Sequence, residues 1–152
     1  RRSSDLNTLK SRLEFILPYI NNWAICDTFV ASLKVLKNDT SFYDQILGLL
    51  SSKNDFSVRF AIVVLQTYYL TDKNVEDILN RLLKLQNKSY YVDMEIAWFV
   101  SVAFVKHRQQ TLKFLESKKL NKTVQNKSIS KICDSFRVTK EDKLLVKTFR
   151  YK

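Results

Sequence analysis

The sequence predicts an all-α fold, and three observations lead to this prediction. The 152 residues include one glycine and one proline, which leaves few of the residues that tight turns between strands require. Leucine, lysine, isoleucine, valine and phenylalanine are abundant, and apolar residues recur at spacings of three and four, the period of an amphipathic helix. The third observation is a regular spacing of the polar segments that separate the predicted helices.

Polar or helix-breaking residues bound each predicted helix. Pro18 ends the first helix, because the residue before a proline avoids the helical region. Asn21 or Asn22 caps the second helix. Polar segments separate the later helices, at residues 38–41, 51–55, 71–72 and 87–89. The predicted helices span residues 5–17, 23–37, 42–50, 56–70, 74–85, 90–105, 109–116, 123–133 and 140–150.

The breaks before the longer helices recur at a constant interval. They fall near Asn22, Asp55, Lys88 and Asn121, so that successive breaks are 33 residues apart. A short helix and a longer helix in each interval are typical of a HEAT-type solenoid, which is a stack of helical hairpins. We therefore expect residues 1–152 to form a single HEAT-like repeat domain, curved, whose second helices line a concave basic face.

The charge balance indicates a polyanionic partner. Lysine and arginine number 26 against 15 aspartate and glutamate residues, a formal net charge of +11. A compact basic helical domain favours nucleic acid over a membrane surface, although a solvated lysine-rich surface has the same composition. No apolar run reaches the ~18 residues of a membrane span. The first residues are not followed by the apolar core of a signal peptide.

Cysteine and histidine usage argues against several kinds of site. Cys26 and Cys133 lie far apart, so the sequence has neither a disulfide framework nor metal-ligand spacing. His107 is the one histidine, which argues against a Cys–His nucleophile pair, and its place at a predicted helix end suits the helix dipole. We expect a reducing, cytoplasmic setting and no metal.

Trp23 and Asp27 form the first pair of residues that could carry chemistry. They are four residues apart on a predicted helix, so their side chains share a face. The apolar stripe of that helix begins at Ile25, and the pair is offset from it by two residues, about 200° around the helix. An aromatic ring and a carboxylate thus point away from the core side by side. The alternative is a tryptophan at a helix–helix contact and a solvated aspartate near the helix start.

Arg59 and Trp98 each allow two interpretations. Arg59 is the only charged residue between Asp55 and Asp72. An isolated arginine in an apolar helix either pairs with a buried carboxylate or binds a ligand anion. Trp98 lies in a helix that is apolar nearly all round, for which a core position is the stronger interpretation.

Taken in order, these residues resemble the DNA alkylation repair enzymes, the HEAT-like repeat DNA glycosylases. The resemblance is carried by Trp23-x-x-x-Asp27, by Arg59 before Ala61-Ile62, and by Ala97-Trp98. Two further stretches resemble one branch of that family, Tyr90-Tyr91-Val92-x-Met94-x-Ile96-Ala97-Trp98 and Lys127-x-x-x-Lys131-Ile132-x-x-Ser135-Phe136-Arg137-Val138. The resemblance extends from Leu13 to about Arg150. The family has further helices upstream of this pattern, and we expect residues 1–152 to lack them, either as a fragment or as a member of a branch without them.

The resemblance implies a groove for duplex DNA and hydrolysis of the N-glycosidic bond of cationic alkylpurines such as 3-methyladenine and 7-methylguanine. It implies no metal and no nucleotide cofactor. Asp27 matches the catalytic carboxylate, whereas Trp23 and Trp98 match the aromatics that contact the damaged nucleotide. Arg59 matches an arginine on the DNA backbone. Further backbone contacts are expected, against the alternative of ordinary solvated lysines, from Lys34, Lys127 and Lys131.

The chemistry agrees with these residue types. An alkylated purine carries positive charge, and a carboxylate beside the anomeric carbon stabilises the oxocarbenium character that develops as the purine leaves. Indole faces attract cations by roughly 0.5–2 kcal/mol. Two alternatives stay open, a non-catalytic DNA-binding member of the same family and a protein-binding helical scaffold. For the DNA-directed functions we expect a cytoplasmic, nucleoid-associated monomer.

Overall fold

The computed structural model describes residues 8, 11–13, 17, 29–31, 33–36 and 39–152. Within them every regular element is a helix, which confirms the all-α prediction. None of these helices has the length and the apolar character needed to cross a membrane. A 3₁₀ helix covers Leu33–Leu36, and the α-helices that follow it are α1 Thr40–Leu49, α2 Asp55–Tyr68, α3 Val75–Leu83, α4 Tyr90–Lys106, α5 Arg108–Glu116, α6 Lys122–Asp134 and α7 Lys140–Lys147.

The chain divides into two compact units, and the first is Arg1–Tyr68. Here α1 packs against α2, and the rings of Phe29 and Phe60 stack with centroids 5.6 Å apart. The hydroxyl of Tyr68 donates to the carbonyl of Val30 at 2.6 Å, and burial raises the pKa of Tyr68 above its usual value. The side chains that are fully buried on α2 are Val58, Phe60, Ala61, Ile62, Val64 and Leu65.

The second unit, Tyr69–Lys152, is built around α4. This helix packs against α6 and α5, while α3 packs against α5 and α7 against α6. Burial of each aliphatic or aromatic side chain contributes about 1.5–3 kcal/mol relative to its exposure. Fully buried core residues come from five helices and include Ile78 and Leu82 of α3, Ile96, Phe99 and Val100 of α4, Leu115 of α5, Val124, Ile129 and Ile132 of α6, and Val146 of α7. The prediction of one curved domain over residues 1–152 stays a prediction.

Capping side chains set most of the helix starts. Ser89 accepts a hydrogen bond from the N–H of Val92 at the start of α4, Asn121 caps α6 in the same way, and Thr139 caps α7. The predicted bounds of α2 to α6 agree with the structure within two residues, which is the ordinary uncertainty of helix ends, whereas α7 ends at Lys147, three residues before its predicted end. A further difference lies at α1, whose predicted start is residue 42. It begins at Thr40, because the Asp39 carboxylate accepts the N–H of Phe42 at 3.0 Å and caps the helix there.

The two predicted N-terminal helices are only partly described. Residues 8 and 11–13 are helical, in agreement with a helix over residues 5–17. Residues 29–31 are helical, but the predicted α-helix over residues 23–37 is not continuous, since Leu33–Leu36 forms a 3₁₀ turn. Such a turn is common at the C-terminal end of an α-helix. Trp23 and Asp27 lie outside the described residues.

Hydrogen bonds in the second unit follow the predicted 33-residue spacing. Gln86 Nε2 donates to the carbonyl of Lys119, a separation of 33 residues, and Tyr151 donates to the carbonyl of Lys118, again 33 residues away. Asn121 Nδ2 donates to Asn87 Oδ1, 34 residues away, at 2.9 Å. These hydrogen bonds therefore join residues about one interval apart, which agrees with the spacing of the polar breaks.

The last residues of the chain are fixed to α6. The buried side chain of Gln125 donates from Nε2 to the carbonyl of Leu115 at 2.9 Å and to that of Phe149 at 3.1 Å. Asn126 makes a reciprocal pair of hydrogen bonds with the backbone of Tyr151. These contacts join α6 both to α5, through Leu115, and to the residues that follow α7.

A bidentate ion pair joins the start of α5 to the start of α7 and allows a test by pH. Arg108 donates from Nε and Nη2 to the two carboxylate oxygens of Asp142, each at 2.8 Å. These hydrogen bonds hold the pKa of Asp142 below its usual value. The stabilisation is therefore present above the unfolded-state pKa of about 3.9, and it is lost as the pH falls through the lower folded-state pKa.

We expect Asp142→Asn to lower the free energy of unfolding by about 1 kcal/mol at pH 7, because one partner of a partly exposed charge-assisted pair is lost. Urea unfolding of both proteins between pH 7 and pH 2 measures the difference, which should shrink below about pH 4. The control is Asp77→Asn, which removes an exposed pair with Arg81 and should cost less. A difference that is constant down to pH 2 would contradict this assignment.

Candidate nucleic-acid interface

Helix α4 presents aromatic side chains on its exposed side. Its buried side faces the core of the second unit, whereas Tyr90 is 67%, Tyr91 61% and Trp98 50% exposed. The rings of Tyr90 and Tyr91 meet edge to face at 5.6 Å. The core interpretation of Trp98 is therefore wrong. A helix that is apolar nearly all round gives no sequence signal for which side faces out.

Trp98 lines a cleft between α4 and the end of α6. The ammonium nitrogen of Lys131, on α6, lies 4.8 Å from the centroid of the indole ring. This is within the distance at which a cation is attracted to the face of an aromatic ring. The cleft, which we call the Trp98 cleft, has a volume of about 420 Å³ and is lined by Trp98, Ser101, Val102, Val105, Lys106, Lys131, Asp134, Ser135, Phe136 and Arg137.

The Trp98 cleft combines apolar walls with a cationic rim. Trp98, Val102 and Phe136 supply flat or aliphatic surface. Lys106, Lys131 and Arg137 supply three positive charges, and Asp134 supplies one negative charge. An aromatic slot with an excess of cations suits a ligand that is both planar and anionic, which is the chemistry of a nucleotide.

A second cavity opens nearer the start of α4. It has a volume of about 350 Å³ and is lined by Tyr90, Met94, Thr123, Asn126, Lys127 and Ser130. Met94 and Lys127 are one 33-residue repeat apart, and so are Trp98 and Lys131 in the Trp98 cleft. Since residues four apart share a helix face, both cavities lie along one strip where α4 meets α6.

The other predicted DNA contacts lie in the first unit or beyond the described residues. Arg59 is half-buried on α2, and its guanidinium carbon lies 5.7 Å from the centroid of the Phe56 ring. Lys34 is exposed on the 3₁₀ helix, and its predicted contact with the DNA backbone stays a prediction. The structure brings Trp98 and Lys131 together and leaves Lys127 in the neighbouring cavity.

Sequence reasoning did not single out Lys106 and Arg137 as site residues, although both line the Trp98 cleft. Lys106 follows Trp98 by eight residues, and this spacing places it two turns further along the same face. Phe136 and Arg137 fall in the break between two predicted helices, where an apolar side chain has no helical stripe to join. The spacing between Trp98 and Lys106 and the apolar residue in this break could therefore have been found from the sequence.

His107 has structural contacts outside the Trp98 cleft. The imidazole of His107 bonds through Nδ1 to Asp72 and through Nε2 to the carbonyl of Leu70, which ties the junction of α4 and α5 to the turn before α3. In the described part of the chain, no cluster of three or more His, Cys, Asp or Glu side chains is arranged to hold a metal ion.

A family model for the DNA alkylation repair enzyme matches residues 2–132, most of the chain. The chain belongs to the DNA alkylation repair enzyme family. No curated protein and no solved structure matches it. Membership in the family indicates a role in the repair of alkylated DNA and makes DNA the partner that the interface has to accommodate. The matched range includes Asp27, Arg59, Trp98 and Lys131 and ends before Phe136.

The contact between Lys131 and Trp98 can be tested by fluorescence. In a Trp23→Phe background, Trp98 is the remaining tryptophan of the two in the chain. Lys131→Met should increase quenching of this fluorescence by acrylamide, because the ammonium group covers one face of the ring, and should cost about 0.5–1 kcal/mol of stability. Lys127→Met, one turn earlier on α6, is the control. Equal quenching in the two lysine variants would show that the contact is not formed.

Proposed function

We propose that this protein is an alkylpurine DNA glycosylase of base excision repair. It hydrolyses the N-glycosidic bond of cationic purines such as 3-methyladenine and 7-methylguanine in duplex DNA. The observation that carries the proposal is the half-exposed indole of Trp98 with the Lys131 ammonium 4.8 Å from its centroid. Family membership supplies the link to alkylation damage.

The Lys131 contact supports this substrate class, because a ring face that attracts an ammonium group also attracts a cationic base once that group has moved away. The exposed ring attracts a cation by about 0.5–1 kcal/mol, and by about 2 kcal/mol or more where water is excluded. An alkylated purine is a flat cation, so it would gain both stacking and this electrostatic term on the same ring. An undamaged purine is neutral and would gain stacking without it. Trp98 thus offers a physical basis for preferring the damaged base.

Asp27 has the catalytic role in this proposal, on the strength of the family resemblance. The bond between the anomeric carbon and the purine nitrogen breaks, and its electron pair leaves with the purine and neutralises the positive charge of the base. The carboxylate stabilises the oxocarbenium character of the sugar. Water then adds to the anomeric carbon and releases a proton, so the reaction requires no external oxidant or metal.

The remaining predicted residues bind DNA in this proposal. Trp23 contacts the damaged nucleotide together with Trp98, and Arg59 binds a backbone phosphate. Lys34 and Lys127 extend the phosphate contacts, and both are exposed. Lys131 has a double role, since the ammonium group that covers Trp98 can also bind a phosphate. The protein acts on its substrate as a monomer.

Asp27→Asn should reduce the release of methylated purine by at least about a hundredfold, the usual effect of removing a group that stabilises transition-state charge. The measurement is chromatographic quantification of bases released from methylated duplex DNA. Asp77→Asn, on the exposed face of α3, is the matched control and should keep full activity. Circular dichroism of both variants checks that they are folded.

The same assay separates the proposed activity from the two alternatives. A non-catalytic DNA-binding protein of this family would bind duplex DNA, release no base, and be unaffected by Asp27→Asn. A protein-binding scaffold would have no salt-dependent affinity for DNA. Failure of the wild-type protein to release methylated purines would overturn the glycosylase proposal.

Arg59→Ala tests the backbone contact. If Arg59 binds one phosphate, its loss should weaken binding to duplexes of any sequence and reduce the slope of log K against log salt concentration by about 0.9. The measurement is a fluorescence-anisotropy titration at several salt concentrations. Arg81→Ala, which removes an exposed arginine of α3, is the control. An equal change of slope in both variants would mean that the positive charge acts diffusely.

A further inference from the structure

The most exposed large apolar side chain in the described residues is Phe136, at 90%. It lies in the loop between α6 and α7 and lines the Trp98 cleft. Exposure of a whole phenyl ring to water is unfavourable, by roughly the 1.5–3 kcal/mol that burial would return. An exposed ring at the mouth of a cleft indicates a surface for binding.

The loop that carries Phe136 is anchored on both sides of the ring. Before it, the N–H of Ser135 donates to the carbonyl of the buried Ile132 at 3.2 Å. After it, the N–H of Arg137 donates to Ser135 Oγ at 3.2 Å, and that of the buried Val138 to the carbonyl of Ser135 at 3.4 Å. Capping of α7 by Thr139 follows directly. The backbone on either side is thus held in place while the phenyl ring projects outward.

Across the cleft from this loop, α4 contributes a wall that is also apolar. Trp98, Val102 and Val105 line that wall, whose spacing of four and three residues places them on one helix face. The cations Lys106 and Arg137 lie at the rim, one on each side, and both are exposed. The slot between the two walls is therefore apolar inside and cationic at its edge.

We propose that Phe136 is a stacking platform for an unpaired base of DNA, and that Arg137 and Lys106 bind the phosphates that flank this nucleotide. The proposal deepens the proposed function, because it rests on DNA as the ligand. It goes beyond the family match, which ends at residue 132. The Trp98 cleft would then contact two nucleotides, the damaged one on Trp98 and an unpaired one on Phe136.

An unpaired base fits this surface better than a paired one. In an intact duplex the faces of each base are covered by its neighbours, so a side chain can stack only where the base stack is interrupted. Single-stranded DNA-binding proteins use the same combination of aromatic platforms with a cationic track along the backbone. Charge also argues against an apolar peptide as the ligand, since three cations face one carboxylate in the cleft.

The test compares undamaged DNA ligands that differ by one unpaired nucleotide. Fluorescence anisotropy measures the affinity for a short duplex, for the same duplex with a single bulged nucleotide, and for the single strand. Phe136→Ala should weaken binding of the bulged duplex and of the single strand by about 5- to 150-fold, the range that corresponds to 1–3 kcal/mol per stacked base. Binding of the fully paired duplex should change by less than about twofold.

The matched control is Leu144→Ala, which removes another exposed apolar side chain, 59% exposed on α7, outside the cleft. It should leave all three affinities unchanged, and Phe136→Tyr, which keeps the ring, should behave like the wild type. Equal affinities for Phe136→Ala and Leu144→Ala would overturn the proposal, and so would a uniform loss for paired and unpaired ligands.

The outcome is independent of base release, because the ligands carry no lesion. A protein that binds the bulged duplex through Phe136 but releases no methylated purine would keep this proposal and overturn the glycosylase. If the wild-type protein releases methylated purines and Phe136→Ala leaves the DNA affinities unchanged, the glycosylase proposal is kept and the stacking proposal is overturned.

Discussion

The packing of α4 against α6 is the contact on which the second unit depends. Helix α4 is apolar on nearly every side, so it is stable in water only when other helices cover most of it. Helices α5 and α6 provide this cover, and the side that they leave exposed carries Tyr90 and Trp98. The candidate interface is thus the part of the α4 surface that packing against α5 and α6 leaves uncovered. Any change that separates α4 from α6 would remove the core contact and the cleft together.

Lys131 connects two kinds of DNA recognition in one side chain. Its ammonium group lies over the face of Trp98, and the same group is suited to bind a phosphate, as a compact cation on a flexible stem. It cannot do both with full strength at the same time. A phosphate that draws Lys131 away would uncover the indole face for a base. While the ammonium group stays on the ring, any base, neutral or cationic, would have to displace it. Backbone binding and access to the ring are therefore linked through this residue.

The sequence was a good guide to the helices and a poor one to their faces. Most helix starts were predictable because they depend on local capping residues such as Ser89, Asn121 and Thr139. The 33-residue interval predicted a solenoid, which stays a prediction, although the hydrogen bond between Gln86 and Lys119 joins two residues with that separation. The apolar pattern of α4 could not predict the exposure of Trp98, because a uniformly apolar helix contains no periodic signal and its outer face is decided by long-range packing. The family resemblance, which gives Trp98 a contact with the damaged nucleotide, did predict an accessible ring. Trp23 and Asp27 lie outside the described residues, so their roles stay predictions.

Asp93 illustrates how a charge on α4 can be compatible with a cationic cleft. Its carboxylate is buried, 8% exposed, and accepts the N–H of Asn87 at 2.9 Å. Asn87 adopts a left-handed conformation with φ of 71°, which asparagine tolerates better than most residues, and the Asp93 carboxylate secures the turn in which it lies. Asp93 precedes Trp98 by five residues, about 140° around the helix. The Asp93 carboxylate therefore stabilises the turn before α4. Its side chain points away from the face of α4 that forms the Trp98 cleft. From sequence alone the same residue would be counted against a DNA-binding surface, and its hydrogen bond shows that it belongs to the scaffold.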